Sequence, residues 1–111
     1  MDSPLLSIIV PVYNGESWVI PAVDGILSQT RPSFELIAID DASRDATSNI
    51  LAERCREDSR IRVLTHKTCL GAGPSRNDGM DIARGKYLLF LDADDLFEPN
   101  LVESVATEAE R

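Results

Sequence analysis

The chain has 111 residues, the length of one small domain, and 43% of them are hydrophobic, which is enough for a packed core. Its net charge of −8, from 11 basic and 19 acidic residues, argues against a nucleic-acid partner, because that partner needs clustered Lys and Arg. The acidity is compatible with a protein that recruits a cation, although an acidic surface more commonly serves solubility.

The two cysteines, Cys55 and Cys69, show no metal-binding or redox spacing, so we interpret them as reduced thiols of a cytosolic protein. The first residues lack the basic region of a signal peptide, and their apolar run is too short to cross a membrane. We therefore expect a cytoplasmic location, with the cytoplasmic face of a membrane as the alternative for a longer parent protein.

Strand and helix signals alternate along the chain. In chain order, the sequence predicts a strand over residues 7–12, a helix carrying residues 19–27, a strand over 35–40, a helix over about 45–56, a strand over 61–64, a helix that runs through 80–83 and stops at Gly85, a strand over 87–91, and a helix opened by Pro99. Pro21 lies near the start of the first helix, and Ser43 or Asp45 is the predicted N-cap of the second. This order predicts an α/β fold with a mostly parallel, Rossmann-like sheet and helices on both faces.

Three polar clusters directly follow predicted strands: residues 13–16, residues 40–45 and residues 92–95. Ligands of parallel α/β sheets bind beyond the carboxyl ends of the strands. We therefore expect the three clusters along one edge of the sheet, which is the strongest physical indication of a site.

The acidic loop has two interpretations. Asp92 and Asp94 are one residue apart, a spacing that can aim two carboxylates at one Mg²⁺ or Mn²⁺ ion. The alternative is a solvated acidic turn that caps the following helix, and the residues alone leave the two balanced. An EF-hand is excluded, because its glycine position holds Phe97 and a strand precedes the loop.

A receiver domain is the rival interpretation from another functional class, because Asp40 and Asp41 resemble the acidic pair of receivers. In receivers that pair follows the first strand, whereas here it follows the second, and the third predicted strand ends without a phosphoacceptor aspartate. The glycine-rich segment 71–79 lacks the phosphate-loop lysine. It is either an anion-favouring turn in which Arg76 adds a contact, or a connecting loop with a surface arginine.

Single residues give weaker signals. His66, the only histidine, is predicted to be solvated rather than catalytic, and no Ser or Cys has evident triad partners. We expect Trp18 in the core, whereas Tyr13 is either a core residue or a base-stacking one.

Five segments in order resemble the nucleotide-binding half of family-two glycosyltransferases with the GT-A fold: SIIVPVYNGE, SQT, FELIAIDDASRDAT, GPSRNDGMDIARGKYLLFLDADD and EPN. The resemblance spans residues 7 to about 105. It implies that residues 1–111 are the nucleotide-sugar-binding part of such a domain and stop before its acceptor-binding half.

The resemblance implies an inverting, metal-dependent transfer of a sugar from a nucleotide-sugar, most often a UDP-sugar, to an acceptor hydroxyl in cell wall or polysaccharide biosynthesis. It implies Mn²⁺ or Mg²⁺ as cofactor, held by Asp94 and by Asp92, which also approaches the ribose, with Asp95 in support. Asp41 would hydrogen-bond the base, and Arg76 would face the nucleotide. The implied base and ribose pocket is lined by residues of the first turn: Pro11, Val12, Tyr13, Asn14 and Glu16.

Two points limit the resemblance. The family's usual DDGS reads DDAS, with Ala42 in place of Gly, a mild change unless the position needs a positive φ. No residue matches the family's catalytic base, which we expect beyond Arg111. The alternative function is therefore donor binding without turnover, and exposed apolar surface would favour a homo-oligomer.

Overall fold

The computed structural model describes residues 4–28 and 33–91, which form a parallel sheet with helices on both faces. Its elements in chain order are β1 (Leu6–Val12), α1 (Val19–Leu27), β2 (Phe34–Asp40), α2 (Thr47–Glu57), β3 (Ile61–Thr65), α3 (Ala72–Ile82) and β4 (Tyr87–Phe90). The alternation predicted from the sequence is confirmed over this range. The predicted acidic loop and the helix opened by Pro99 lie outside the described residues.

The sheet has the strand order β3-β2-β1-β4, and every pairing in it is parallel. β1 pairs with β2 from Leu6 opposite Phe34 to Val12 opposite Asp40, and its other edge pairs with β4. A receiver sheet places its third strand beside the first, whereas here β3 pairs with β2. The receiver alternative is therefore wrong. From β1 the chain adds β2 and β3 on one side of the sheet and then returns to add β4 on the other side of β1. The topological switch point therefore lies between β1 and β4.

The two central strands are buried on both faces, as their continuous apolar runs predict. On one face, alternate residues of β1 and β2 pack against α1 and α2, with Leu51 fully buried among them and Trp18 at the margin. On the other face, Ile9, Ile37 and Ile39 pack against Ile82 of α3. Trp18, expected in the core, is partly buried and packs against it.

Two glycines let backbone segments approach β1. A Cβ atom on Gly79 would lie 2.6 Å from Cγ2 of Ile9, so α3 packs against the sheet through a position that only glycine fits. Gly85 was expected to end this helix, but the helix ends at Ile82. A Cβ atom on Gly85 would lie 2.5 Å from the backbone nitrogen of Ser7, so the glycine serves packing against β1 rather than helix termination.

A buried carboxylate joins the connection before β4 to the sheet. Glu35 accepts hydrogen bonds from the Ser7 hydroxyl at 2.6 Å, the Arg62 guanidinium at 3.0 Å and the Arg84 backbone N–H at 2.6 Å. Burial alone would raise the pKa of Glu35, but these donors and the Arg62 charge outweigh it and hold the pKa below its ordinary value.

α1 begins at Val19, which makes Pro21 its third residue. Backbone N–H groups in the first turn of a helix have no intrahelical partner, so proline loses no hydrogen bond there. Within residues 4–28 and 33–91, every helix is too short or too polar to reach across a bilayer.

Candidate functional site

An open cavity of about 440 Å³ lies beyond the carboxyl ends of β1, β2 and β3. Tyr13 follows β1, Asp40 and Arg44 come from the end of β2 and the loop after it, and His66 and Cys69 come from the loop after β3. Two of the three polar clusters singled out in the sequence therefore meet at one edge of the sheet, as expected. The third cluster, residues 92–95, lies outside the described residues.

The loops after β1 and β2 are joined by reciprocal hydrogen bonds. The backbone N–H of Asn14 donates to Oγ of Ser43 at 2.9 Å, and the backbone N–H of Arg44 donates to Oδ1 of Asn14 at 2.8 Å. The backbone N–H of Gly15 donates to Oγ1 of Thr47 at 2.8 Å. Each loop therefore holds the other in place at this edge of the cavity.

Ala42 occupies a left-handed backbone conformation, with φ of 62°. This is the case in which the change from the family's glycine carries a cost, because a Cβ in the left-handed region clashes with its own backbone, by about 1–2 kcal/mol. The neighbouring loop holds Asn14 at φ of 48°, and asparagine tolerates that region better than alanine does. The site thus contains local strain at Ala42, one residue beyond Asp41.

Glu16 and Asp45 cap the start of α2 in a crossed arrangement. The N–H of Glu16 donates to Oδ2 of Asp45 at 3.1 Å, and the N–H of Ala46 donates to Oε2 of Glu16 at 2.9 Å. Asp45 also accepts from the N–H of Thr47, the first residue of the helix, at 2.9 Å. The helix begins two residues later than expected and its N-cap is Ala46, so the prediction of Ser43 or Asp45 as N-cap is wrong, although Asp45 still accepts from the first helical N–H. The carboxylate of Glu16 is hydrogen-bonded to Ala46, just before α2. The nucleotide contact expected of Glu16 stays a prediction.

Asp41 is the hub of the site. Its Oδ1 accepts hydrogen bonds from Nδ1 of His66 and the N–H of Leu70, each at 2.8 Å. Its Oδ2 accepts from the N–H of Gly71 at 2.8 Å and from the thiol of Cys69 at 3.2 Å. Burial alone would raise the pKa of Asp41, but these four donors hold the pKa well below its ordinary range. Asp41 is thus an ionised carboxylate whose acceptor positions are all in use.

His66 is buried, so the expectation that it is solvated is wrong. Its side chain is 8% exposed, with Nδ1 at 2.8 Å from Asp41 and Nε2 at 2.6 Å from Oδ2 of Asp78 on α3. The sequence contained one usable signal: Asp40 pairs with Thr65 in the sheet, so the residues that follow these two are also neighbours. The partner Asp78 could be found only from the placement of α3.

Asp40 differs from its neighbour. Its Oδ1 accepts from the N–H of Ser43 at 3.0 Å, and its backbone carbonyl accepts from the N–H of His66 at 2.9 Å. Its Oδ2 is buried and has no hydrogen-bond partner. Asp40 is also one of the residues that line the cavity.

The remaining predicted site residues are placed as follows. Tyr13 is half exposed at the cavity, whereas the side chain of Val12 is buried in the core and only its backbone reaches the site edge, where its carbonyl accepts from the N–H of Asp41 at 2.8 Å. Pro11 is partly buried in β1, and Arg76 is partly buried on α3. The predicted metal ligands Asp92 and Asp94 lie outside the described residues, and residues 4–28 and 33–91 contain no other group of three or more side chains suited to a metal ion.

A family model described as Glycosyl transferase family 2 matches residues 7–111. Curated relatives described as glycosyltransferases are 35% to 45% identical over 98 to 110 residues, and this chain spans between 14% and 40% of their length. One is the putative teichuronic acid biosynthesis glycosyltransferase TuaG of Bacillus subtilis (strain 168), 37% identical over 90% of this chain and 40% of TuaG.

Two solved structures share the fold. TarS 1-349 of S. aureus in complex with UDP-GlcNAc matches with a TM-score of 0.87 and 30% identity over 95% of this chain and 31% of that chain. The mannosyltransferase PcManGT of Pyrobaculum calidifontis, in complex with GDP-Man and Mn²⁺, matches with a TM-score of 0.82 over 96% of this chain and 32% of that one. At 22% identity, this second likeness concerns the fold alone.

Proposed function

Because this chain belongs to glycosyl transferase family 2, we propose that it binds the donor in an inverting, metal-dependent transfer of a sugar from a UDP-sugar to an acceptor hydroxyl. Its sheet matches those of GT-A glycosyltransferases. The observation that carries the proposal is the cavity beyond β1, β2 and β3, whose lining residue Cys69 donates its thiol to the buried, ionised carboxylate of Asp41. The related TarS 1-349 has been crystallised with UDP-GlcNAc, which supports a UDP-sugar as the donor.

We place the nucleobase in this cavity. The half-exposed ring of Tyr13 offers a face for stacking, and Asp41 offers an acceptor for the N–H of a uracil ring. All acceptor positions of Asp41 are occupied, so the base has to displace one donor. The thiol of Cys69 is the weakest of the four, has the longest contact at 3.2 Å and belongs to an exposed residue, so it is the one to be displaced.

The strand order supports the position of the diphosphate. β4 lies on the opposite side of β1 from β2, so a donor whose base lies over β2 would extend its phosphates past the switch point toward the end of β4. Asp92 and Asp94 follow β4 in the sequence, and Arg76 belongs to α3, which packs against β1. Carboxylate oxygens are the donors that Mg²⁺ and Mn²⁺ prefer, so the chemistry of this pair fits such an ion.

In this proposal the described residues bind and orient the donor. Asp41 and Tyr13 fix the base, and the cavity holds the nucleoside so that the sugar extends away from the sheet edge. A divalent ion at Asp92 and Asp94 would supply positive charge for the departing diphosphate. The catalytic base and the acceptor surface are expected outside this chain, which spans between 14% and 40% of the relatives compared above.

The test is calorimetry with uridine diphosphate, with and without Mn²⁺. We expect Asp94→Ala to lose the gain in affinity that Mn²⁺ gives, and Asp41→Asn to lower the affinity in both conditions, because its contact is to the base. Glu53→Gln removes one negative charge from an exposed position of α2 that does not line the cavity, and it should bind like the wild type. An unchanged Mn²⁺ effect in Asp94→Ala would contradict the metal site.

If Asp41→Asn binds like the wild type while Asp40→Asn is impaired, the base instead uses the unpartnered Oδ2 of Asp40. Donor binding without turnover is the second candidate, favoured by the short span of the chain. A donor-hydrolysis assay separates the two: slow release of free sugar, with water as the acceptor, indicates a transferase site, and no release at saturating donor indicates binding alone. Leu88 and Phe90 are exposed on the edge strand β4 and support self-association, which sedimentation would detect.

A further inference from the structure

We propose that His66 is a positioning residue of the donor site: as an imidazolium bridging Asp41 and Asp78, it holds the loop after β3 in the shape that forms the nucleoside cavity. This inference rests on the proposed function. It adds a residue with no assigned role, and it makes donor binding depend on the protonation of one side chain.

The geometry requires the charged form of His66. Each ring nitrogen has a carboxylate oxygen at hydrogen-bond distance, Asp41 at 2.8 Å and Asp78 at 2.6 Å. A neutral imidazole carries one N–H, so it can donate to one carboxylate while its other nitrogen would meet the second carboxylate lone pair to lone pair. Only the imidazolium donates on both sides. The side chains of His66 and Asp41 are 8% and 6% exposed, so water cannot readily replace Asp41, whereas Asp78 is 39% exposed.

The bridge connects side chains from three elements. Asp41 follows β2, His66 follows β3, and Asp78 lies in the middle of α3. The same carboxylate of Asp41 also accepts from Leu70 and Gly71, the last residues before α3. The loop is therefore fixed at its start by His66 and at its end by two backbone N–H groups, all on one side chain.

If His66 loses one of its two ring protons, its hydrogen bond to either Asp41 or Asp78 is lost. One carboxylate would then face an unprotonated nitrogen, and the positive charge between the two carboxylates would disappear. Titratable or charged groups that contact His66 or share the cavity with it come from every surrounding element: Tyr13, Asp40, Asp41, Arg44, Lys67, Cys69 and Asp78.

The direction of the pH effect follows from these neighbours. Hydrogen bonds to Asp41 and Asp78 raise the pKa of His66 above its ordinary value, and they outweigh burial, which acts in the opposite direction. A group with a raised folded-state pKa stabilises the fold fully below its unfolded pKa, and that contribution is lost as pH rises through the folded value. The bridge is therefore complete below about pH 6.5, the ordinary pKa of histidine, and is lost as pH rises through the higher folded-state pKa.

The first experiment measures the bridge without a ligand. His66 is the only histidine, so a proton NMR titration of the 111-residue chain reports it without ambiguity. We expect a pKa above the ordinary histidine value in the wild type and a clearly lower pKa in Asp78→Asn, which keeps the shape of the side chain and removes its charge. The charge-matched control Glu53→Gln should leave the titration unchanged. A His66 pKa at or below the ordinary value would overturn the bridge.

The second experiment measures uridine diphosphate affinity against pH in the presence of Mg²⁺. We expect the affinity of the wild type to fall about tenfold as pH passes the pKa of His66, which corresponds to a rise of that pKa by about one unit on binding. In Asp78→Asn the fall should move to lower pH. His66→Gln can donate to one carboxylate only, and its affinity should be low and follow only the titration of the diphosphate itself.

The outcomes separate the two proposals. Tight binding whose pH dependence is the same in the wild type and His66→Gln would overturn the positioning role and leave the donor site in place. A raised histidine pKa without any uridine diphosphate binding, at every pH tested, would overturn the proposed function and with it the role of His66 in donor binding.

Discussion

The sulfur of Cys69 lies 3.2 Å from Oδ2 of Asp41, at the edge of the open cavity. If a nucleobase takes this acceptor position, the bound nucleotide must cover the thiol. We expect uridine diphosphate at about ten times its Kd to slow maleimide modification of Cys69 about tenfold, because about one-tenth of the chain is then free. Mass spectrometry of the modified chain measures the rate at each cysteine.

Cys55 is the internal control for this experiment. It is partly buried, and its thiol donates to the carbonyl of Ile61 at 3.3 Å, away from the cavity. Its rate should not respond to the nucleotide. Equal protection of the two cysteines would indicate general stabilisation, and no protection of Cys69 would contradict the position of the base. The variant Cys69→Ala should bind uridine diphosphate at least as tightly as the wild type.

Ala42→Gly should stabilise the fold. Relief of the left-handed conformation gains about 1–2 kcal/mol, while the added freedom of the unfolded chain costs about 0.4–1 kcal/mol, so we expect a net gain of roughly 0.5–1 kcal/mol. Urea unfolding measures the change. The same substitution in the exposed interior of α2, Ala52→Gly, should instead destabilise by about 1 kcal/mol. A loss of stability in Ala42→Gly would show that the residue is not strained.

Gly79→Ala and Gly73→Ala change the same helix in opposite directions. A methyl group at position 79 would lie 2.6 Å from Cγ2 of Ile9, so α3 has to shift, and we expect a loss of about 1–3 kcal/mol. A methyl group at position 73 meets nothing within 4 Å, so alanine should gain about 0.5–1 kcal/mol from helix propensity. Chemical denaturation measures both. Similar effects at the two positions would contradict the close packing of α3 on β1.

Glu35 gives a testable dependence of stability on acid. Its folded-state pKa is lowered, so its ionised form stabilises the fold above the unfolded pKa, and that contribution is lost as pH falls through the folded value. We expect Glu35→Gln to be less stable than the wild type at pH 7, with the gap in unfolding free energy narrowing below about pH 4.5. For the exposed Glu53→Gln, the gap should stay small and constant. A Glu35 gap that widens in acid would reverse the assignment.

The sequence predicts the fold largely because its strongest signals are local. Apart from Ser7, Glu35 and Asp40, which are buried, β1 and β2 are apolar, and the helices show apolar residues at helical spacing. The predicted helix boundaries were less accurate where a residue that usually starts or ends a helix had a different role. Gly85 was predicted to end α3, but it serves close packing against Ser7. Asp45 was predicted to start α2, but the helix begins after the hydrogen bonds that Glu16 and Asp45 make.

The sequence predicted where the site residues lie relative to the sheet, but not which side chains contact one another. The rule that ligands bind beyond parallel strands brought Tyr13 and the residues after Asp40 together correctly. It gave no information on the partners of Asp41, because these come from a loop whose path depends on the placement of α3. For the same reason the sequence misplaced His66 in solvent: its second carboxylate, Asp78, is twelve residues away on that helix.

The reciprocal hydrogen bonds between Asn14 in the first loop and Ser43 and Arg44 in the second have a consequence for protein engineering. A chimaera that imports either loop alone from a relative would leave donors and acceptors on the other without their counterparts. If the cavity binds a nucleobase as proposed, changing its base preference calls for transplanting the two loops together.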